Sequence, residues 1–516
     1  MSLLAHDAAR SAQSEDDVQF EAAVPMNIDE YLIAIGEFGR YQQRHYALVA
    51  GAWLPIGLTT LSMVFINARP RWLRDGVQFA GPPPCNATVV LVDQTVGGEF
   101  GLICDDAVLR ADLNTLYFAG FLCGASILGW FSDRHGRRKA CCVACALASV
   151  STFCSALAPT YAVYALCRAI AGIGVGGLAT SCYVLATEFI GPSWQSVTGN
   201  AQSAIFAVGG LLLAPLALLL PSWRLLAAAC ALPTALWFFV FLLVVPESPR
   251  WLLAHDQAEK AAALLFAVAV VNGTAPAGGA PALLGASATG APGVRALFRH
   301  AVMRRRTLAM LYCWFAVSFA YYGLSLNAGN LQGSLHLNFA MSCAVEVPAC
   351  LLAGRLCDRI GRKRSLSFCF GLAGVLCLAC IVLPPGFPTT AAATIGKFAI
   401  AGAFATVFVY ATELFPTVLR NGAMGLSSSA ARCGGMVAPL AVLLAELGVA
   451  LPLVVFGAVA VIASACALLL PETKGRPLPE TLAECVAPPT GAVAAAHSAG
   501  AAVEMAPARS LPPETI

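Results

Sequence analysis

Charge is scarce in this chain of 516 residues: Asp, Glu, Lys and Arg together make up 11% of it. A soluble globular protein carries about 25%, and so few charged side chains cannot clothe a water-facing surface. With 58% hydrophobic residues and a mean hydropathy of +0.74, lipid is the expected solvent. An excess of either sign is also missing, since 31 Lys and Arg face 28 Asp and Glu, and nothing in that balance speaks for nucleic acid. Metal-ligand spacing is missing among the seven histidines, with His135 in a basic turn and His255 and His300 in a central loop. No Walker-type phosphate loop is present, so direct ATP drive is not expected, and no catalytic constellation or resident cofactor is either. Residues 1–25 lack an apolar core and carry Glu15, Asp16, Asp17 and Glu21. No cleavable leader is therefore expected, and the first apolar run should stay in the membrane. Cysteine is not scarce, at 20 residues, but Cys141, Cys142, Cys145 and Cys154 lie inside apolar runs, where a thiol is a small hydrophobe.

What the chain has is a repeat. Gly129 to Lys139 reads Gly-Trp-Phe-Ser-Asp-Arg-His-Gly-Arg-Arg-Lys, and Gly354 to Arg364 reads Gly-Arg-Leu-Cys-Asp-Arg-Ile-Gly-Arg-Lys-Arg. Asp133 and Asp358 are 225 residues apart, and so are Glu188 and Glu413, and Glu247 and Glu472. Three coincidences at one offset divide the chain into two halves of one design, an arrangement typical of secondary transporters.

Apolar runs of about 20 residues, enough to cross the hydrocarbon core, lie near 47–66, 113–131, 140–158, 161–183, 200–219 and 224–245. A second set lies near 307–327, 335–356, 365–384, 390–411, 421–442 and 450–470. The expected organisation is an all-α membrane protein of twelve transmembrane helices in two six-helix bundles, 47–245 and 307–470. An N-terminal segment (1–46), a central loop (246–306) and a tail (471–516) complete it. Residues 1–25 and the Ala/Pro-rich stretch after Glu480 read as disordered, and 27–44 as an amphipathic helix lying at the interface. The turns at 132–139 and 355–364 and the end of the central loop are dense in Arg and Lys, so the positive-inside rule puts them in the cytosol. An even helix count then puts both termini there too. The long first loop, 67–112, is net negative and falls outside, although Arg69 to Arg74 pull against that placement. It carries the glycosylation sequon at Asn86. A second sequon at Asn272-Gly-Thr274 falls on the cytosolic side and should be unused.

The repeated Gly-x-x-x-Asp-Arg-x-Gly-Arg-Arg/Lys turns in a twelve-helix pattern resemble the major facilitator superfamily. Glu413-Leu-Phe-Pro-Thr-Val-Leu-Arg-Asn-Gly-Ala-Met-Gly425 is similar to the signature of its organic-ion transporters, the organic cation, carnitine and organic anion carriers. So are Ser318-Phe-Ala-Tyr-Tyr-Gly-Leu324 and Pro471-Glu-Thr-Lys-Gly-Arg-Pro-Leu-Pro-Glu480. The resemblance runs from about Gly36 to Glu480. It implies a plasma-membrane carrier that moves small organic ions by alternating access. The drive would be a gradient, exchange, or coupling to Na+ or H+. The outer loop has two cysteines where relatives often have more. Cys85 and Cys104 are expected to form a disulfide there, against two free thiols.

Two sets of charged residues follow. In the turns, Asp133, Arg134, Arg137 and Arg138 can meet Glu188 and Glu247. In the other half Asp358, Arg359 and Arg362 can meet Glu413 and Glu472. Such clusters suit a cytosolic gate that holds the halves together when the pore opens outward, against the plainer reading of a basic anchor. In the bilayer, Glu346, Lys397 and Arg432 are costly, about 2.5–3.5 kcal/mol each at mid-membrane, and need a partner or a purpose. Gly425, Ser428, Arg432 and Gly435 share one helix face, and Arg grips a carboxylate bidentately. The resemblance sharpens this. The position of Arg432 is acidic in typical cation carriers and basic in anion and carnitine carriers. Cys350 stands where anion carriers have a lysine. One carboxylate and one guanidinium suit a zwitterion of carnitine or betaine type, unless Glu346 pairs with Arg432 or Lys397 and only holds helices together. Tyr321 and Tyr322 lie on one face with Ser318 and Ser325, and tyrosine faces attract quaternary ammonium groups. Tyr183 and Gln202 are further candidates. Other readings are an organic anion exchanger, a sugar carrier of the same fold, and a non-transporting receptor or scaffold.

Overall fold

The structure is a computed structural model. It describes residues 26–486 apart from 71, 75–76, 80–89, 92–93, 277–278, 281–282, 284–293, 385, 477–478 and 480. The terminal stretches expected to be disordered therefore lie outside the described residues, and so do Asn86 and Cys85.

Twelve helical elements follow the twelve apolar runs. They are α1 (Arg40–Ile66), α2 (Ala107–His135), α3 (Arg137–Ala156), α4 (Tyr161–Thr187), α5 (Gln195–Leu219) and α6 (Trp223–Leu243). In the second half they are α7 (Ala301–Leu326), α8 (Leu335–Ile360), α9 (Arg362–Ala379), α10 (Phe387–Leu414), α11 (Thr417–Leu443) and α12 (Leu451–Leu468). Among the described residues, eleven of the helices are long and apolar enough to cross a membrane. The twelfth, α9, is 18 residues long and opens on Arg362, Lys363 and Arg364. Its apolar part alone is short, and Cys380 to Leu383 continue it as a turn.

Local chemistry sets the boundaries. Thr160 caps α4 by accepting from the Val163 N–H, satisfying one of the first-turn donors. Pro388 and Pro452 sit in the opening turns of α10 and α12, where their missing N–H costs nothing. α8 is two segments, Leu335–Ala344 and Glu346–Ile360. Pro348 lacks the N–H that would bond Ala344, and its ring crowds that carbonyl, so the helix breaks one residue before Glu346. α1 is likewise broken at Gly51 and Ser62.

Small residues bring α2 and α4 together. Gly120 and Gly124 face Ala169 and Ile173, while Gly172 and Gly176 face Tyr117 and Phe121, each against backbone carbonyl with no room for a Cβ. In lipid, where apolar side chains gain nothing by leaving the solvent, such close backbone approach is a main source of helix cohesion. Across the halves, α2 packs on α11 and α5 on α8.

The long outer loop holds three short antiparallel strands, β1 (Trp72–Arg74), β2 (Val77–Phe79) and β3 (Val90–Leu91), in the order β2-β1-β3. Trp72 is opposite Phe79 and Leu91. Glu99 ties the loop to α6, accepting from Trp223 Nε1 at 2.7 Å and pairing with Arg224.

On the opposite face the structure departs from expectation. Residues 27–44 do not form one interfacial helix. A capping box of Asn27 and Glu30 starts a helix at Ile28–Ala34, which buries Ile28, Tyr31 and Leu32 against Leu252, Leu253, Leu265 and Val268. Those partners belong to two helices of the central loop, Pro249–Ala254 and Ala258–Asn272. Arg40–Ala50 then begins α1. The second sequon is a clasp. Asn272 accepts from the Tyr41 N–H at 2.9 Å and donates to Ile35 O and Gln42 Oε1, and Thr274 donates to Ile35 O.

Candidate functional site

The basic turns are near copies in space. Each turns on a glycine of positive φ, Gly136 (+108°) and Gly361 (+92°), and a carboxylate fills the place a Cβ would take, that of Glu247 or Glu472. That carboxylate caps the following helix. The Arg137 N–H donates to Glu247 at 2.7 Å and the Arg362 N–H to Glu472 at 2.8 Å. The arginine side chain reaches back to the preceding helix and across to the next. Arg137 meets Asp133 at 2.6 Å and Glu188 at 3.4 Å. Arg362 meets Asp358 at 3.8 Å and Glu413 at 2.9 Å.

Three details differ from the expected gate. Glu247 and Glu472 bind backbone N–H groups rather than guanidinium groups. Arg138 donates to the Phe241 and Leu242 carbonyls at the end of α6, and Arg134 lies over Trp130. Arg359 offers only its carbonyl, to Lys474 Nζ at 2.9 Å. Each of these bonds stays inside one half, so among the described residues this face shows no charge pair tying the halves together. The tie between halves is on the other face. Glu446, just past α11, accepts from Arg69 at 2.8 Å and Arg110 at 3.0 Å, and Phe65 of α1 packs edge-on against Phe339 of α8 at 5.1 Å. Arg69, which pulled against the charge rule, is thus neutralised across the interface. No periodicity links positions this far apart, so the clamp was not visible in the sequence.

A chamber of about 500 Å³, counting its open mouth, lies between the halves. Trp53, Ser203, Phe206, Tyr321, Tyr322, Glu346, Cys350 and Phe404 line it. Tyr322 packs on Phe118 of α2 at 4.6 Å. Glu346, at the break in α8, accepts from Tyr321 Oη at 2.7 Å and pairs with Lys397 of α10 at 3.2 Å. Lys397 is 1% exposed. It aims its hydrogens at Tyr321 O (3.0 Å) and Ser325 Oγ (2.7 Å) and stands over the Tyr321 ring, so Glu346 Oε1 accepts no directed hydrogen bond. The ion pair is with Lys397, not with Arg432. Lys397, a substrate candidate on sequence, is instead a buried partner of Glu346, with one flank toward a small polar pocket of Asn327, Asn338, Ser342 and Thr394.

Arg432 sits one turn from Gly435, which touches Phe118 and Tyr322. It donates to Ser428 and, across the interface, to Thr180 of α4 at 3.3 Å, and it lies 5.2 Å from the Phe121 ring. Its Nε has no acceptor, and no carboxylate is paired with it among the described residues. Gln202 is buried on α5 with neither amide atom bonded, and Tyr183 is half-buried with its hydroxyl beside Gly199. Neither lines the chamber. Trp53, Phe206 and Phe404, which do, were not singled out because aromatic residues in apolar runs carry no distinguishing period, and Ser203 because a lone serine carries none either. Cys104 is disulfide-bonded, and its expected partner Cys85 lies outside the described residues. Among the described residues no cluster has the makings of a metal site.

Comparison with known proteins agrees with this architecture. Residues 107–483 match the family described as sugar (and other) transporters. Over 474 residues the chain is 34% identical to the solute carrier family 22 member 15-like protein of Xenopus tropicalis, covering 90% of this chain and 97% of that one. It is 34% identical to organic cation/carnitine transporter 4 of Arabidopsis thaliana, covering 88% and 90%. Human solute carrier family 22 member 13 is 36% identical over 74% of this chain and 70% of its own. Among solved structures, the inward open xylose transporter XylE of E. coli superposes with a TM-score of 0.61 at 17% identity, covering 85% of this chain and 98% of that one.

Proposed function

Because this chain belongs to the sugar (and other) transporter family, and within it to solute carrier family 22, we propose that it carries small organic ions bearing a carboxylate, zwitterions of carnitine or betaine type foremost. The family carries the coarser statement: this is a transmembrane transporter of the major facilitator fold. The finer one rests on a single observation, that the charges between the halves do not cancel. Glu346 is taken by Lys397, and Arg432 has a hydroxyl on each side and no carboxylate among the described residues. A guanidinium in that setting is a bidentate seat for a carboxylate. Arg432 does not itself line the aromatic chamber; Gly435, one turn on from it, lies against Tyr322, which does, and Trp53, Tyr322, Phe206 and Phe404 there are aromatic partners for an ammonium group. A neutral sugar would leave Arg432 uncompensated.

Glu446 clamps one face while the basic face shows no charge pair between the halves among the described residues, so we read this conformation as closed opposite the basic turns. By the positive-inside rule the basic face is cytosolic and the conformation faces inward. Both termini would then be cytosolic and the plasma membrane the site of action, with Asn86 glycosylated and Cys85 bridged to Cys104 outside. No resident cofactor is needed in this reading, and the coupling ion stays open.

The test is uptake into proteoliposomes. An Arg–carboxylate contact contributes about 1.5–3 kcal/mol, so Arg432→Ala should cut uptake of labelled carnitine, betaine and p-aminohippurate by roughly ten-fold or more, leaving tetraethylammonium unimpaired. Undiminished uptake of every carboxylate-bearing substrate would overturn the reading. A second reading, exchange of purely anionic substrates, is favoured by the engagement of Glu346 with Lys397. It wins if p-aminohippurate is carried and betaine is not.

A further inference from the structure

We propose that transport is coupled to protons, with Glu346 as the proton-binding group and the small polar pocket beside Lys397 as its route from the clamped face. The proposal rests on the reading of the chain as a carrier of carboxylate-bearing ions and names what drives it.

The Glu346–Lys397 pair stands between two cavities, and three helices line both. α7 brings Tyr322 to the chamber and Asn327, just past its end, to the small pocket. α8 brings Glu346 to the chamber and Ser342 to the pocket, while α10 brings Phe404 to the chamber and Thr394 and Lys397 to the pocket. α7 starts at the basic face, and α8 and α10 end there, so the pocket lies toward the opposite face, the one Glu446 holds. Glu346 borders the cavity on one side and Lys397 that on the other, with 3.2 Å between them. The lining of the pocket suits water rather than a second ion. Asn327, Ser342 and Thr394 offer neutral hydrogen-bonding groups, no carboxylate lines it among the described residues, and the Lys397 ammonium at its wall repels metal ions. Asn327 is 1% exposed and its Nδ2 has no acceptor, a buried donor of the kind that ordered water satisfies.

A proton from pocket water reaches Glu346 by exchange at the ammonium. One N–H bond of Lys397 breaks as an O–H bond forms on the carboxylate, and the water-borne proton remakes the N–H bond. Lys397 ends charged, still held by Tyr321 O and Ser325 Oγ, and Glu346 ends neutral. With the chamber empty, that leaves Lys397 without a counter-charge inside the bundle, which is costly. A substrate carboxylate in the chamber restores the balance, whereas an ionised Glu346 repels it. Proton and substrate therefore favour each other's binding, travel in the same direction, and the empty carrier holds back a proton leak. The other titratable groups around Glu346 are Tyr321 and Tyr322 of α7 and Cys343 and Cys350 of its own helix, all of types that are ordinarily neutral at pH 7. α5, packed on α8, brings Ser203 and Phe206 to the chamber, and α9 has its Arg and Lys residues in its first turn, at the basic face. Glu346 and Lys397 are thus the pair placed to pass a proton from one cavity to the other.

The test uses the full chain in proteoliposomes that enclose a pH-sensitive dye, with the membrane potential clamped by potassium and valinomycin. Exchange of labelled betaine, carnitine and p-aminohippurate at equal pH is measured first and tests the carrier reading by itself. If none is exchanged, that reading fails and this one with it. Where a substrate is exchanged, its addition outside should acidify the lumen of wild-type liposomes, and its uptake should rise several-fold when the outside is made more acidic than the lumen. Neither readout needs a variant to fold. Glu346→Gln/Lys397→Met should move no protons, whatever uptake it retains. Asn327→Leu/Ser342→Ala, which makes the pocket apolar, should slow acidification several-fold and leave exchange at equal pH as in the wild type. Exchange without acidification in the wild type, or acidification in Glu346→Gln/Lys397→Met, overturns the proposal. Acidification at the wild-type rate in Asn327→Leu/Ser342→Ala overturns the route through the pocket.

Discussion

Set side by side at an offset of 225 residues, the two halves agree where they turn and differ in the bundle interior. The offset carries α2 through α6 onto α8 through α12. Arg137 falls on Arg362, Glu188 on Glu413 and Glu247 on Glu472, and the contacts fall with them. In the bundle interior the match ends. Phe121 corresponds to Glu346, Gly172 to Lys397 and Ala207 to Arg432. Where α2 and α4 close backbone to backbone through Gly172, α8 and α10 hold an ion pair instead. The scaffold is duplicated and the chemistry is not. One half supplies apolar packing, the Thr180 hydroxyl and a buried Arg168 stacked on Tyr117; the other supplies Glu346, Lys397 and Arg432.

The largest effect should come from breaking that interior difference. Removing one member of a buried pair strands the other, at about 3–5 kcal/mol. Lys397→Met should therefore abolish most folded protein, seen as loss of the monodisperse peak in size-exclusion chromatography. Glu346→Gln/Lys397→Met should restore the peak, because no charge is left stranded. If Lys397→Met folds as well as the double variant, the pair is not the structural element described here.

The turns should respond alike. A non-glycine residue in left-handed backbone costs about 1–2 kcal/mol, and at Gly136 and Gly361 a Cβ also meets the capping carboxylate. Gly136→Ala and Gly361→Ala should lower the thermal midpoint by similar amounts. A large effect at one and none at the other would mean that the repeat is one of sequence only.

These turns were legible because their signal is local. A glycine, an aspartate and a run of arginines at fixed spacing recur, and a fixed offset reports a fixed fold. The twelve helices were legible because apolar length is. The break in α8 was available in Pro348. What could not be read is the choice of partner. Glu346 had Arg432 and Lys397 within plausible reach, and a rotation of α10 or α11 by one residue decides between them. Nor did any local pattern join Glu446 to Arg69 and Arg110, or Asn272 to Ile35 and Tyr41. Those contacts form between elements far apart in the chain, and only the packed bundles bring them together.

The two faces can be set against each other in the same way. Glu446 binds across the halves and Asp133 within one, so their loss should act differently. Partly exposed bridges contribute about 1 kcal/mol or less each, and Glu446→Gln weakens two. The variant should populate an outward-open state several-fold more. The readout is the distance between spin labels at Val108 on α2 and Val449 beyond α11, both exposed. Asp133→Asn should leave that distance distribution unchanged, fold normally and slow turnover in liposomes. A longer distance in Asp133→Asn, or none in Glu446→Gln, would reverse the assignment of which face is clamped.

The smallest effect is one of pH, at the cap of α9. Burial pushes the Glu472 carboxyl up, but the N–H groups of Lys474, Arg362, Thr473 and Lys363 outweigh it and hold the group below the ordinary value of 4.5. A carboxyl whose pKa is lower folded than unfolded binds fewer protons in the native state. Its contribution to stability is therefore complete above the unfolded value and is lost as pH falls through the folded one. The difference in thermal midpoint between the wild type and Glu472→Gln should stay constant from neutral pH down to about 5 and shrink only below the ordinary carboxylate value. A difference that shrank between pH 7 and 5 would place the titrating group elsewhere and leave the cap of α9 without the role its geometry indicates.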